Sequence, residues 1–223
     1  MYRERPPRPD GAVVWTRTVS PDGAALRVLP DGCMDVVWAD GELFVAGPDT
    51  EAHLVESPGG TQFAAVRFAP GTAPTLLGVP ADELRNQHVP LDALWPAADV
   101  RRLGQRIDEA TDRAGTLAGA LGVAPPEPWV QWLVNRLRAG QSVAALAGQV
   151  AFSERQLLRR SLFLFGYGPK TLARILRLGT ALDLARGGAP FGRVAAEAGY
   201  ADQAHLSREV RTLAGVPLRD LVS

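Results

Sequence analysis

Val194-Ala195-Ala196-Glu197-Ala198-Gly199-Tyr200-Ala201-Asp202-Gln203-Ala204-His205-Leu206-Ser207-Arg208 decides the fold of the last third of the chain. A short helix of small and apolar residues runs into Gly199, which suits a left-handed turn. Asp202 then offers a side-chain acceptor to the start of a second helix. This is a helix-turn-helix pattern. A copy lies upstream, where Ser142-Val143-Ala144-Ala145-Leu146-Ala147-Gly148-Gln149-Val150-Ala151-Phe152 turns into Ser153-Glu154-Arg155-Gln156-Leu157-Leu158-Arg159-Arg160. Ser153 lies 13 residues before Gly166, and Asp202 lies 13 before Gly215. Leu157 and Leu206 each fall four residues after the cap, and Gly166-Tyr167-Gly168-Pro169 is echoed by Gly215-Val216-Pro217. Ala147 and Ala195 occupy matched places on the first helix of each pair. One unit is repeated twice. A duplex major groove admits one α-helix, so two such units on one body can read two groove segments, and double-stranded DNA is the expected partner.

Working outward, the chain from Trp129 onward reads as helix. Seven segments are expected: 128–139, 143–151, 154–165, 169–186, 190–198, 203–214 and 217–222. Ser142, Ser153 and Asp202 suit N-caps, Pro169, Pro190 and Pro217 suit first turns, and Gly140, Gly166, Gly187-Gly188, Gly199 and Gly215 close helices. Leu146, Val150, Leu157, Val194, Leu206 and Val210 are the expected core.

The other half has a different texture. Up to about residue 70 the pattern is short strands, at Ala12–Thr18, Ala25–Leu29, Met34–Ala39, Glu42–Ala46, Glu51–Glu56 and Gln62–Phe68. Turn formers separate them, and Asp40-Gly41 between two apolar runs predicts a tight hairpin. Many short strands suggest a small barrel or sandwich. Helical pieces follow at Ala73–Gly78, Ala81–Gln87 and Ala98–Leu121. In the last, Val100, Leu103, Ile107, Ala110 and Ala114 form one apolar stripe, which suits packing on its own barrel or pairing with a second copy. Val123-Ala124-Pro125-Pro126-Glu127-Pro128 breaks the helix as a linker. The fold class is therefore α+β, with a β-rich domain over 1–121 (linker helix 98–121), a linker over 122–128 and an all-α domain over 129–223.

Charge divides along the same line. Residues 1–121 carry 11 arginines against 17 carboxylates, a net of −6, and residues 122–223 carry 13 basic residues against 7 carboxylates, a net of +6. A basic half dominated by arginine suits phosphates and guanine edges, although a solvated helical surface gives the same count. The N-terminus has no apolar run resembling a secretory signal, and no stretch approaches membrane-span length, so the cytoplasm is expected. A single cysteine, Cys33, excludes an internal disulfide and a multi-thiolate zinc site. His53 and His88 are far apart in sequence and the HxH-plus-Glu arrangement of metal-binding cupins is absent, so no metal and no cofactor is expected.

Residues 125–223 resemble the DNA-binding domain of the AraC/XylS family of transcriptional regulators, on the strength of 194–208 and the closing Gly215-Val216-Pro217-Leu218-Arg219. The N-terminal half, with Leu29-Pro30-Asp31-Gly32-Cys33-Met34-Asp35-Val36-Val37-Trp38, Val45-Ala46-Gly47-Pro48 and Phe63-Ala64-Ala65-Val66-Arg67-Phe68, looks like a cupin-like sensor domain found in some of these regulators. The resemblance implies two subdomains joined by the helix 169–186, with base-facing positions at Arg155, Leu158 and Arg159 in one. In the other they fall at Gln203, Ala204, His205, Ser207 and Arg208. It also implies a small-molecule effector, with RNA polymerase and a second copy of the chain as further partners. Ser161 departs from the family at a place that usually buries an aromatic residue, which Phe163 or Phe165 can fill.

Residue chemistry sets alternatives beside these roles. Arg155 and Arg159 share a helix face and suit guanine O6 and N7, or else form a solvated face or pair with Glu154. Gln203 suits adenine, or else bonds the helix start. Arg160 suits a phosphate or an intramolecular contact. Lys170, Arg174 and Arg177 are candidate phosphate clamps. Trp15, Trp38, Phe44, Phe63 and Phe68 can line a ligand cavity or fill the core. Non-enzymatic DNA binding is the leading reading, with no catalytic residues. The alternatives are an enzyme, an alkyl-transfer or redox-sensing protein using Cys33, and a ligand-independent DNA binder whose barrel only dimerises. Asp31 and Asp35 beside Cys33 oppose thiolate formation.

Overall fold

The computed structural model describes residues 1–149 and 152–222. Its N-terminal part is built on antiparallel strands β1 (Tyr2–Glu4), β2 (Val13–Thr18), β3 (Ala24–Val28), β4 (Asp35–Ala39), β5 (Glu42–Ala46), β6 (His53–Ser57), β7 (Gln62–Arg67) and β8 (His88–Pro90). The expected barrel takes the form of a six-stranded sheet, β1-β2-β7-β4-β5-β8, and a two-stranded ribbon, β3-β6. Asp40 and Gly41 form the two-residue β4–β5 turn with φ of 45° and 97°, the positive values that a tight hairpin demands. β1 and β8 lie at the edges and have no alternating apolar signal; β8 ends in Pro90, which an edge strand tolerates.

The helical pieces after the strands are shorter than the sequence suggests. α1 is Ala73–Leu77, and the expected helix 81–87 contracts to a 3-10 turn at Ala81–Glu83. The expected single helix 98–121 is two helices, α2 (Ala97–Asp108) and α3 (Arg113–Leu121). The break has a local cause: the Asp112 side chain accepts from the Gly115 N–H at 3.0 Å and starts a new helix, and Arg5 pairs with the same carboxylate. The apolar stripe does pack on its own domain. Val100, Leu103, Ile107, Ala114, Leu117 and Leu121 share a core with Val14, Val36, Val45 and Val66 from one face of the sheet.

The C-terminal part has α4 (Pro128–Arg138), α5 (Val143–Ala147), α6 (Glu154–Phe165), α7 (Pro169–Arg186), α8 (Phe191–Glu197), α9 (Gln203–Ala214) and α10 (Arg219–Val222). These lie within a residue of the expected bounds except at α10, which starts two residues later than expected, and at α5. There the expected helix 143–151 ends at Ala147 ahead of Gly148, and its last two positions lie outside the described residues. Two separate cores flank α7. Leu133, Leu146, Leu157, Leu172 and Ile175 belong to the first, and Leu178, Leu182, Val194, Leu206 and Val210 to the second. The expected core residues Leu146, Leu157, Val194, Leu206 and Val210 are buried, while Val150 lies outside the described residues. Phe165 is buried and Phe163 is 44% exposed, so Phe165 is the aromatic that sits in the core near the buried Ser161.

Candidate nucleic-acid interface

Each helix-turn-helix unit ends in a 12-residue helix with a well-formed start. Ser153 accepts from the Gln156 N–H while the Gln156 side chain accepts from the Ser153 N–H, a reciprocal cap on α6. The Asp202 carboxylate accepts from the His205 N–H at 2.6 Å and opens α9. Gly166 and Gly215 close the two helices with φ of 80° and 73°. In the second unit Gly199, at φ 76°, makes the turn between α8 and α9.

On α6, Arg155, Leu158 and Arg159 are exposed and fall at steps of three and four, so they share a face, with Leu158 46% exposed although apolar. Neither arginine pairs with Glu154 or with any other carboxylate among the described residues. Arg160 points elsewhere. Its guanidinium lies 4.4 Å from the Phe152 ring centroid and 5.6 Å from that of Trp129. Arg159 also borders a cleft of about 310 Å³ with Thr75, Glu127, Arg160, Phe163 and Leu164.

On α9, Gln203, Ala204, Ser207 and Arg208 are exposed. Because Asp202 performs the cap, the Gln203 amide makes no hydrogen bond to the helix start. His205 is half-buried, with its ring edge-on to Tyr200 at 5.4 Å and Nδ1 accepting from the Ala201 N–H at 3.3 Å. Only Nε2 remains to face a partner. Burial pushes the Tyr200 hydroxyl up to about 12, so it stays protonated.

The three candidate phosphate clamps on α7 divide. Lys170 is exposed. Arg174 instead makes a two-point ion pair with Glu209 of α9, Nε to Oε2 at 2.8 Å and Nη2 to Oε1 at 3.2 Å, and its hydrogen bonds hold the Glu209 carboxyl below its ordinary value. Arg177 donates to the Gly199 carbonyl at 3.2 Å and lies over the Tyr200 ring at 4.8 Å. Both bind the second unit to α7. Sequence reading does not find these roles because Glu209 lies 35 residues from Arg174.

In the N-terminal domain the strand register separates the aromatic candidates. Trp15, Ala65, Val37 and Phe44 form one rung, and Phe63 lies two residues from Ala65 on the same face. Trp15, Phe44 and Phe63 are half-buried there. Trp38 lies on the opposite face in the core with Phe68, its Nε1 donating to Asp108 at 2.9 Å. Arg67 sits among Asp31, Asp35 and Glu4 at 3.3–3.4 Å. Burial and Asp31 push the Cys33 thiol well above its ordinary value, the opposite of an activated nucleophile. Among the described residues no cluster of three or more His, Cys, Asp or Glu could hold a metal ion, and no helix is long and apolar enough to cross a membrane.

Residues 146–222 match the family described as a helix-turn-helix domain, and residues 12–90 match a domain of unknown function (DUF6597). No curated protein matches the chain. Among solved structures, an apo form of a ToxT variant from Vibrio cholerae is 10% identical, covering 95% of this chain and 96% of that one with a TM-score of 0.52. Another ToxT structure from the same organism is 10% identical, with coverage of 99% and 97% and a TM-score of 0.51. A probable AraC family transcriptional regulator from Rhodopseudomonas palustris is 20% identical over 41% of this chain and 88% of that one, with a TM-score of 0.36. The ToxT likeness extends over both halves and is one of fold. The chain thus carries a C-terminal helix-turn-helix domain behind an N-terminal domain of unknown function, in an arrangement whose fold is shared with ToxT.

Proposed function

We propose that α6 and α9 enter adjacent major-groove segments of one duplex. Arg155, Leu158 and Arg159 then face bases in one segment, and Gln203, Ala204, Ser207 and Arg208 in the other, with His205 at the margin. One observation carries this reading: Arg155, Arg159, Gln203 and Arg208 are exposed and without a side-chain partner among the described residues, whereas Arg160, Arg174 and Arg177 are engaged within the protein. The first set has donors to spend on a ligand. Each good bidentate base contact discriminates by about 1–3 kcal/mol, and Leu158 and Ala204 suit thymine methyl groups. Lys170 supplies a phosphate contact.

The division of labour follows the two halves, with 1–121 as sensor or dimerisation unit, 122–128 as linker and 129–223 as reading unit. A small-molecule effector is favoured by Trp15, Phe44 and Phe63, which present half-buried aromatic surface on one sheet face while Trp38 and Phe68 fill the core. Pairing with a second copy and contact with RNA polymerase belong to the same reading.

Duplexes drawn from a random pool by the full chain provide the test. The protein should retard them at low salt, and Arg159→Ala and Gln203→Ala should each weaken the selected site by about 1–3 kcal/mol more than random DNA. Equal loss on both would make these residues phosphate contacts, and no retardation by folded protein would overturn the proposal.

A further inference from the structure

The N-terminal domain grips the same end of both reading helices. An α-helix leaves its last carbonyls without intrahelical partners, with partial negative charge concentrated there. On α9, Arg27 of β3 donates from Nη1 to the Ala214 carbonyl at 3.1 Å, and the Ala52 N–H donates to the Leu213 carbonyl at 2.7 Å. On α6, Arg85 donates from Nη1 to the Gly166 carbonyl at 3.1 Å. The two closing glycines repeat the correspondence. A Cβ on Gly166 would lie 2.5 Å from Pro48 and 3.1 Å from the Ala81 carbonyl, and a Cβ on Gly215 would lie 3.2 Å from the Arg27 guanidinium. Donors 58 residues apart in the N-terminal domain thus reach the same end of the two helices, at carbonyls one residue apart in the repeat, Ala214 before the closing Gly215 and Gly166 at the closing glycine itself.

Within the C-terminal domain the two units have separate cores on either half of α7. Their relative placement therefore depends on that helix and on the approach of Gly199 to Gly140, where a Cβ on Gly199 would lie 3.8 Å from the Gly140 Cα, unless something outside that domain spans both. The N-terminal domain spans both. Besides the arginines, Gly32 lies against Leu172 and Leu176, Gly71 against Phe165 and Val130, and Leu29 against the second core.

We infer that Arg27 and Arg85 are positioning residues for DNA recognition, a two-point brace that fixes the distance and angle between α6 and α9. The brace thereby sets the half-site spacing the protein accepts. This rests on the reading of α6 and α9 as the groove-entering helices. Neither arginine touches DNA. Any event in the N-terminal domain that shifts β3 against the Ala81–Asn86 segment changes the spacing between the reading helices.

Two measurements test the brace on the full chain. In a Cys33→Ala background, nitroxides at Glu154→Cys and Arg211→Cys report the separation of α6 and α9 by electron–electron resonance, without DNA. The braced protein should give one narrow distance, and Arg27→Ala with Arg85→Ala should broaden it or add a second distance at unchanged helix content. An unchanged distribution overturns the inference. On a selected duplex, one base pair inserted between the half-sites should weaken the braced protein about tenfold and the double variant less than about threefold, with each half-site alone bound equally by both. Equal spacing discrimination in both proteins also overturns it. Absence of DNA binding with the expected distance change would remove the proposed groove contacts and leave the brace standing as a mechanical fact.

Discussion

The first helix-turn-helix unit presents Arg155 and Arg159 from a helix whose far end lies against Pro48 and the Ala81 segment of the other domain. The second presents Gln203 and Arg208 from a helix fastened to α7 by the Arg174–Glu209 pair and by Arg177 over Tyr200. The helices are the same length and are capped at matched positions. Both units place a guanidinium over aromatic rings, but the first uses Arg160 of α6 itself and the second uses Arg177 of α7. Duplication has kept the frame and changed the fastening. In the second unit arginines of α7 secure α9 directly, while the first spends an arginine of α6 on its own aromatic cluster.

The sharpest way to break the comparison is to empty each core at the same repeat position. Leu157 and Leu206 are both 1% exposed, and either change to Ala should cost about 2–5 kcal/mol. Because the cores are separate, hydrogen exchange should rise mainly in 128–176 for Leu157→Ala and in 178–222 for Leu206→Ala. Equal loss of protection in both units from either change would show that they form one cooperative body.

A pH effect probes the segment that touches both units. Asp49 follows Pro48, which meets Gly166, and precedes Ala52, which bonds the end of α9. Burial raises the Asp49 carboxyl to about 6, with His53 at 3.5 Å acting in the opposite direction. A raised carboxyl is costly to ionise in the folded state, so its contribution to stability is full below about pH 4 and is lost as pH rises through 6. Asp49→Asn should therefore stabilise the protein by about 1–3 kcal/mol at pH 7 and by almost nothing at pH 4, measured by urea unfolding at both values. A difference independent of pH would assign the effect to packing.

What was legible in the sequence was local. Ser153, Asp202, Gly166 and Gly215 act on the backbone within a turn of themselves, and the bounds 154–165, 169–186 and 203–214 follow from them. The α2–α3 break escaped because the apolar stripe runs through it unbroken while the Asp112 cap overrides it. Arg174 reads like any exposed arginine until α9 brings Glu209 beside it. Trp38 and Trp15 are equivalent in a strand pattern, and only the register puts them on opposite faces. The Arg27 and Arg85 contacts join residues 187 and 81 positions apart and leave no periodic trace.

The smallest expected effect tests whether the second unit's fastening carries stability or only orientation. Arg174 is 37% exposed and Glu209 19%, so screening reduces the pair to about 0.5–1 kcal/mol despite its two-point geometry. The Glu209 carboxyl lies below its ordinary value, chiefly through hydrogen bonds from Arg174. Its contribution is accordingly present above that ordinary value and disappears as pH falls through the depressed one. Glu209→Gln should lower stability slightly at pH 7 and leave it unchanged in strong acid. If orientation matters more, the same variant should lose affinity for a selected duplex by more than its stability change, while Arg160→Ala perturbs the first unit alone. An affinity loss no larger than the stability change would make the pair a fastening that DNA recognition does not use.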